Sequence, residues 1–117
     1  KNRAFSPAVE TSNGKTVWLA GHGAPVDENG SSLAGDFAAQ AHQSFKNIEA
    51  TLLETGGSLR DLVTMTVYLI DARYGDQFID IRRQYFEDFP ASAMITISGF
   101  AHPDMMIEIQ GIAVLDN

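Results

Sequence analysis

Near its C-terminus the chain reads Met105-Met106-Ile107-Glu108-Ile109-Gln110-Gly111-Ile112-Ala113-Val114-Leu115, a run suited to a half-buried strand with one carboxylate in its middle. Glutamate is seldom fully buried unless it is paired, which leaves two readings of Glu108. It is a structural carboxylate, solvated or set between subunits, or it is an acid placed where chemistry happens. In a partly desolvated cleft a single carboxylate can orient a water molecule and take its proton. A second candidate is Ala20-Gly21-His22-Gly23, where a predicted strand opens into a glycine-rich loop. Backbone N–H groups exposed there can hold an anion; the plainer alternative is a simple exit from the strand. His42 reads as a surface residue and His102, beside Pro103, as a turn residue. The three histidines lack ligand spacing, so no metal site is expected. Arg82 and Arg83, about one turn before the end of a predicted helix, read as surface charges that complement its dipole.

Hydrophobic periodicity supplies the elements that must position these residues. Asn13-Gly14 is the dipeptide favoured by a type I′ turn, so Glu10–Gly21 reads as a hairpin whose second strand covers Thr16–Ala20. From Asp36 to Thr55, Phe37, Ala38, Ala41, Phe45, Ile48 and Leu52 recur at three- and four-residue steps, predicting an amphipathic helix capped by Asp36 and stopped at Gly56-Gly57. Asp61 to Asp71 alternates, with Val63, Met65, Val67 and Leu69 on one side and Thr64, Thr66 and Tyr68 on the other. A second helix is predicted from an Asp76 cap, along Phe78, Ile81, Tyr85 and Phe89, to a stop at Pro90. Two strands, Ala93–Ser98 and Met105–Leu115, close the chain. The order β-β-α-β-α-β-β makes an α+β single domain over residues 1–117, one mixed sheet with two helices on one face. The other face is expected to carry Thr64, Thr66, Tyr68, Met94, Thr96, Met106, Glu108 and Gln110. That mixture of small polar and thioether side chains suits burial against other subunits.

Composition narrows the partners. Eight basic residues face fifteen acidic ones, a net charge of −7, which disfavours nucleic acid and anionic membrane surfaces and points to a small molecule or a protein. No apolar run approaches the roughly 18–20 residues that span a bilayer. The absence of cysteine excludes thiol catalysis, disulfides and thiolate metal sites, and is compatible with the cytoplasm.

Several stretches together resemble one family. Phe5-Ser6-Pro7-Ala8-Val9, Val17–Gly23, Asp36–Asp71, Tyr85–Met94 and Met106–Val114 occur in the order seen in the RidA/YjgF reactive intermediate deaminases, also called L-PSP endoribonucleases. Gln40, Gln43, Asn47, Leu52 and Gly56 along the first helix, and the strand from Asp61 to Asp71, carry the likeness most strongly. The resemblance implies a chorismate-mutase-like fold with a six-stranded mixed sheet, assembled as a homotrimer with active sites in clefts between subunits. It implies cofactor-free hydrolysis of short-lived enamines and imines to carbonyl compounds and ammonia. Glu108 then aligns with the water-activating glutamate, and Ala20, Gly21 and His22 with the opposite wall.

The departures fall at the site itself. Ser92 stands where the family has an arginine that grips a substrate carboxylate, Ala8 replaces a tyrosine, His22 a glutamine, and Gln110 a second acid. The segment Gly99–Met106 is longer than in the common deaminases. The substrate range is therefore expected to differ from that of 2-imino acids. His22, Ser92 or Arg82, the last from an adjacent subunit, could supply the missing donor, and Met94 completes the candidate ligand-binding set. The alternative is a trimeric ligand-binding or protein-protecting module that keeps the cleft without catalysis. The endoribonuclease activity in the family's other name is disfavoured by the acidic balance.

Overall fold

The computed structural model describes residues 3–116. In chain order it runs β1 (Lys15–Trp18), α1 (Phe37–Glu54), β2 (Leu62–Leu69), α2 (Gly75–Arg83), β3 (Ala91–Thr96) and β4 (Ile107–Leu115). The sheet order is β1-β4-β2-β3, with β2 and β3 parallel and the other pairs antiparallel. Both helices cover one face, as the α+β reading requires. Phe37, Ala41, Phe45, Ile48 and Leu52 of α1 meet Met65, Val67 and Leu69 of β2 and Ile107, Ile109 and Ala113 of β4 in one core. Phe45 lies at its centre, stacked on Tyr85 at 4.6 Å and on Phe78 at 5.8 Å between ring centroids.

Local chemistry explains the element ends. The Asp36 carboxylate accepts from the Ala39 N–H at 3.0 Å and so caps α1. Gly56 turns left-handed at φ +90°, letting the Gly57 N–H reach the Leu52 carbonyl. Asn13 and Gly14 both adopt positive φ, as a type I′ turn demands. Among the described residues no strand precedes that turn, however, so the expected hairpin does not form, and β1 pairs with β4 instead. The N-terminal segment joins the opposite edge through a single parallel bridge, Ser6 to Ala91. Among the described residues the sheet thus has four strands rather than six, extended by isolated bridges at Ser6 and His22.

Register corrects three further expectations. A bulge between Leu62 and Thr64 turns Leu62, rather than Val63, into the core. The parallel pairing of Val67 with Met94 and Leu69 with Thr96 puts Met94 and Thr96 on the helix side, together with Ser92. Met106 also packs on the core. The open face carries Thr64, Thr66, Tyr68, Ala91, Ala93, Ile95, Glu108, Gln110 and Ile112, and Trp18 on β1, which is 75% exposed. Finally, α2 starts at Gly75, behind a 3-10 turn capped by Asp71, with Asp76 only in its first turn. It ends at Arg83 rather than near Pro90, because Gln84 and Tyr85 bond to carbonyls three residues back and tighten the last turn.

Candidate functional site

The alternation of β4 decides where Glu108 points. Ile107, Ile109, Ala113 and Leu115 are buried under the helices, so Glu108 lies on the open face, half-buried, opposite Tyr68 of β2. The chain leaving β1 passes over it. Leu19 donates to the Gly111 carbonyl at 3.0 Å, and His22 and Ile109 exchange both backbone hydrogen bonds at 2.7 and 2.8 Å. Between Trp18 and His22 this segment uses one more residue than β4 does, so the backbone bows outward at Ala20 and Gly21. Glu108 fills that bow: a Cβ on Gly21 would collide with its carboxylate. Glycine at position 21 is thus a condition for the close approach. Among the described residues Glu108 has no ion-pair partner.

His22 contributes backbone rather than a free side chain. Its Nδ1–H donates to the Ala20 carbonyl at 2.7 Å, which leaves Nε2 facing the Thr51 hydroxyl at 2.9 Å. The ring is turned toward α1, and its backbone N–H is taken by Ile109, so the expected anion-holding role does not fall to that N–H. His42 is half-buried and bonded to the Tyr85 hydroxyl at 2.6 Å rather than a free surface group, whereas His102 is the turn residue its position suggests.

The remaining candidates gather elsewhere. Arg82 is not a surface charge; it is 1% exposed, with its guanidinium 5.1 Å from the Phe78 ring centroid. It donates to Ser92 Oγ at 2.6 Å and to the Arg3 carbonyl at 2.9 Å, all within one chain. Burial pushes its pKa down to about 10, and Arg3 and Arg83 act in the same direction. Arg3, Phe5, Ile79, Arg82, Ser92 and Met94 line a cavity of about 190 Å³. Ser92 is level with Met65 and, across β2, with Gly111, three residues from Glu108 and on the opposite face of the sheet. Strand spacing puts the two backbone positions roughly 14 Å apart. A single chain therefore assembles Ala20, Gly21, His22 and Glu108 in one place and Arg82, Ser92 and Met94 in another.

Sequence reasoning missed the burial of Arg82 and the role of Gln40. Arg82 is four residues after Phe78, which puts it on the apolar stripe of α2, and that spacing was the available signal. Gln40 is fully buried. Its amide donates to the Leu33 and Asp104 carbonyls and accepts from the Met106 N–H, tying both flanking loops to the entry of β4. Asn47, oriented by Gln43, holds the Gly23 carbonyl at 3.1 Å. These helix polar residues thus fix the loops that frame Glu108.

A family model described as endoribonuclease L-PSP matches residues 2–115. The chain belongs to the L-PSP family. A RutC family protein of Pyrococcus abyssi is 34% identical over 111 residues, covering 93% of this chain and 84% of the relative. The 3-aminoacrylate deaminase RutC of Acinetobacter baylyi is 32% identical over 111 residues, covering 93% and 85%. Among solved structures, YyfB of Yersinia pestis, a protein of unknown function in the conserved Rid family, matches with a TM-score of 0.87 at 28% identity, covering 97% of this chain and 88% of that one. The mixed sheet under two helices is the fold of this L-PSP family member, and the Gln40 and Asn47 clamps belong to its framework. Among the described residues no group of acidic and histidine side chains is arranged to hold a metal, and no helix is long and apolar enough to cross a membrane.

Proposed function

We propose that this chain hydrolyses a reactive enamine or imine to a carbonyl compound and ammonia, with Glu108 handling the water. The observation that carries this reading is the seat of Glu108: a half-buried carboxylate with no described ion pair, pressed against Gly21 on a sheet face left uncovered. Relatives named as deaminases support the reaction class, and one of them acts, by name, on an enamine acid. In the proposed reaction Glu108 takes a proton from water as the oxygen bonds to the imine carbon. The C=N π pair moves to nitrogen, which takes that proton from Glu108. The carboxylate then removes the carbinolamine's hydroxyl proton and passes it to the amino nitrogen as C=O re-forms, so that the group expelled is ammonia. Imine and water are consumed, and one carbonyl and one ammonia appear. A positioned general base of this kind accounts for about 10²–10⁴ in rate.

The exposed Trp18 and Ile95 on the open face support a homotrimer in which that face is buried. Its cleft would bring Glu108 of one subunit toward the Arg82–Ser92 group of another. With Ser92 at the arginine position, the substrate range differs from that of relatives with a direct guanidinium. Incubation with an amino-acid oxidase that releases imines, read by ammonia and semicarbazone formation across several amino acids, tests the proposal. Acceleration by the wild type that disappears in Glu108→Ala supports hydrolysis; no acceleration on any imine overturns it.

One observation favours the non-catalytic alternative, a ligand-binding or protein-protecting module. The His22 ring is engaged with Ala20 and Thr51, and so is not poised to protonate a leaving nitrogen. Ligand binding without turnover in the same assay identifies that case. The net charge of −7 continues to weigh against RNA as substrate.

A further inference from the structure

The register of the sheet gives Glu108 a neighbour that the proposed hydrolysis leaves unused. Across the open face one row runs Gly21, Glu108, Tyr68, Ile95. Residues directly opposite each other in a sheet have Cβ atoms about 4.5–5.5 Å apart, so the Tyr68 side chain starts beside the carboxylate. The two flanks of Glu108 differ. On the Gly21 side the backbone lies so close that not even a Cβ fits, and no ligand group can enter there. The open flank is Tyr68. It is half-buried, and among the described residues it has neither a hydrogen bond nor a ring contact. Tyr74 and Tyr85, by contrast, stack on Phe37 and Phe45. Ile95, 44% exposed, stands on the far side of Tyr68. One row along, Thr66, Gln110, Leu19 and Trp18 border a hollow of about 200 Å³. An aromatic side chain without an internal partner thus lies on the lateral approach to the carboxylate, with space beside it.

We propose that Tyr68 is a specificity residue of this site, whose ring stacks a flat, unsaturated substituent carried near the reacting carbon. The protein then selects aryl-bearing or conjugated substrates over saturated ones of the same bulk. A molecule whose reacting carbon sits at the Glu108 carboxylate cannot extend toward Gly21, so its substituent runs over Tyr68. A planar π system there meets the ring in the offset or edge-on geometry that aromatic pairs favour. A saturated group of equal size gains burial alone. Because Tyr68 stands between Ile95 and Glu108, a subunit contact at Ile95 leaves the ring next to the carboxylate. The identity of the reacting group rests on the enamine/imine reading. The preference for a planar substituent rests on the row itself and applies to any ligand held at Glu108.

The test reads selectivity twice, once with turnover and once without. An amino-acid oxidase releases imines from phenylalanine and from leucine, and each is partitioned between hydrolysis and capture by semicarbazide. Tyr68→Leu keeps apolar bulk without a π face, and should lower the phenylalanine-to-leucine ratio of kcat/KM about three- to tenfold. Tyr68→Phe keeps the ring and should keep the ratio. A merely structural Tyr68 would lower both substrates alike and leave the ratio unmoved. For binding, benzamide and cyclohexanecarboxamide, both neutral and one flat, are titrated calorimetrically into wild type, Glu108→Gln, Tyr68→Leu and Tyr68→Phe. Benzamide should bind several-fold more tightly than its saturated counterpart in all but Tyr68→Leu. If no imine is hydrolysed but that preference is present, the hydrolase reading fails and the role of Tyr68 stands. If imines are hydrolysed but the ratio is unchanged in Tyr68→Leu, the role of Tyr68 falls and the hydrolase reading stands. Equal binding of the two amides by the wild type also overturns the proposal.

Discussion

Glu108 and Arg82 are charged side chains on the same small sheet, held in opposite ways. Glu108 stands on the open face, half-buried, with Gly21 as its nearest wall. Arg82 lies inside the helix layer, fully enclosed, tied to Ser92 and to the N-terminal segment. The carboxylate can be removed with little harm to the chain's packing, whereas the guanidinium is woven into it. The difference separates two ways in which a fold places charge. One leaves a carboxylate half-exposed on an open face, where it needs no partner within the chain. The other accepts an electrostatic cost indoors to hold a hydroxyl and a strand edge in position.

Substitutions at the two sites should therefore separate activity from stability. Glu108→Ala is expected to lower imine hydrolysis by about 10²–10⁴ while shifting the urea midpoint little. A large loss of stability in that variant would place Glu108 with Arg82 rather than against it. Gly21→Ala forces the carboxylate aside, and a displacement of about 1 Å should cost on the order of 10² in rate with folding nearly unchanged.

On the buried side the readout is stability. Arg82→Ala leaves a cavity against Phe78 and frees the Arg3 carbonyl, so urea unfolding should show a loss of about 3 kcal/mol. Arg82→Met fills that space and removes the uncompensated charge, and its loss should stay within about 1 kcal/mol. Gln40→Leu strands two carbonyls and the Met106 N–H, and should cost about 2 kcal/mol by the same measurement, with the loops around Gly23 and Asp104 loosened.

The smallest effect belongs to a surface pair. Hydrogen bonds from Arg73 lower the Asp71 carboxyl from 3.8 to about 2. A carboxyl depressed on folding stabilises above its unfolded pKa, and that contribution is lost as pH falls from about 4 through 2. Asp71→Asn should therefore change acid unfolding only slightly and only in that window, as an exposed ion pair does.

The helices and the main strands could be read from periodicity, and so could the Asp36 cap, the left-handed stop at Gly56 and the turn at Asn13-Gly14. In each case a few neighbouring residues determine the backbone state. The hairpin expectation failed because a turn dipeptide specifies a bend and not which strand the following residues pair with; β4 won that competition for β1. The placement of Met94 and Thr96 failed for a related reason. Alternation says that neighbours face opposite ways, but only the pairing of Val67 with Met94 says which way is in.

The site divides along the same line. Glu108 among strand apolar residues, Gly21 in a loop exit and Ser92 in Pro90-Ala91-Ser92-Ala93 are all visible in the sequence, because residue type and order along the chain carry them. The pairing of Arg82 with Ser92, the turn of the His22 ring toward Thr51 and the roughly 14 Å between the two clusters come only from tertiary structure. Each of these depends on contacts between residues distant in sequence, set by strand register and by how α2 docks on the sheet. Sequence alone determined which groups could act; packing decided which of them meet.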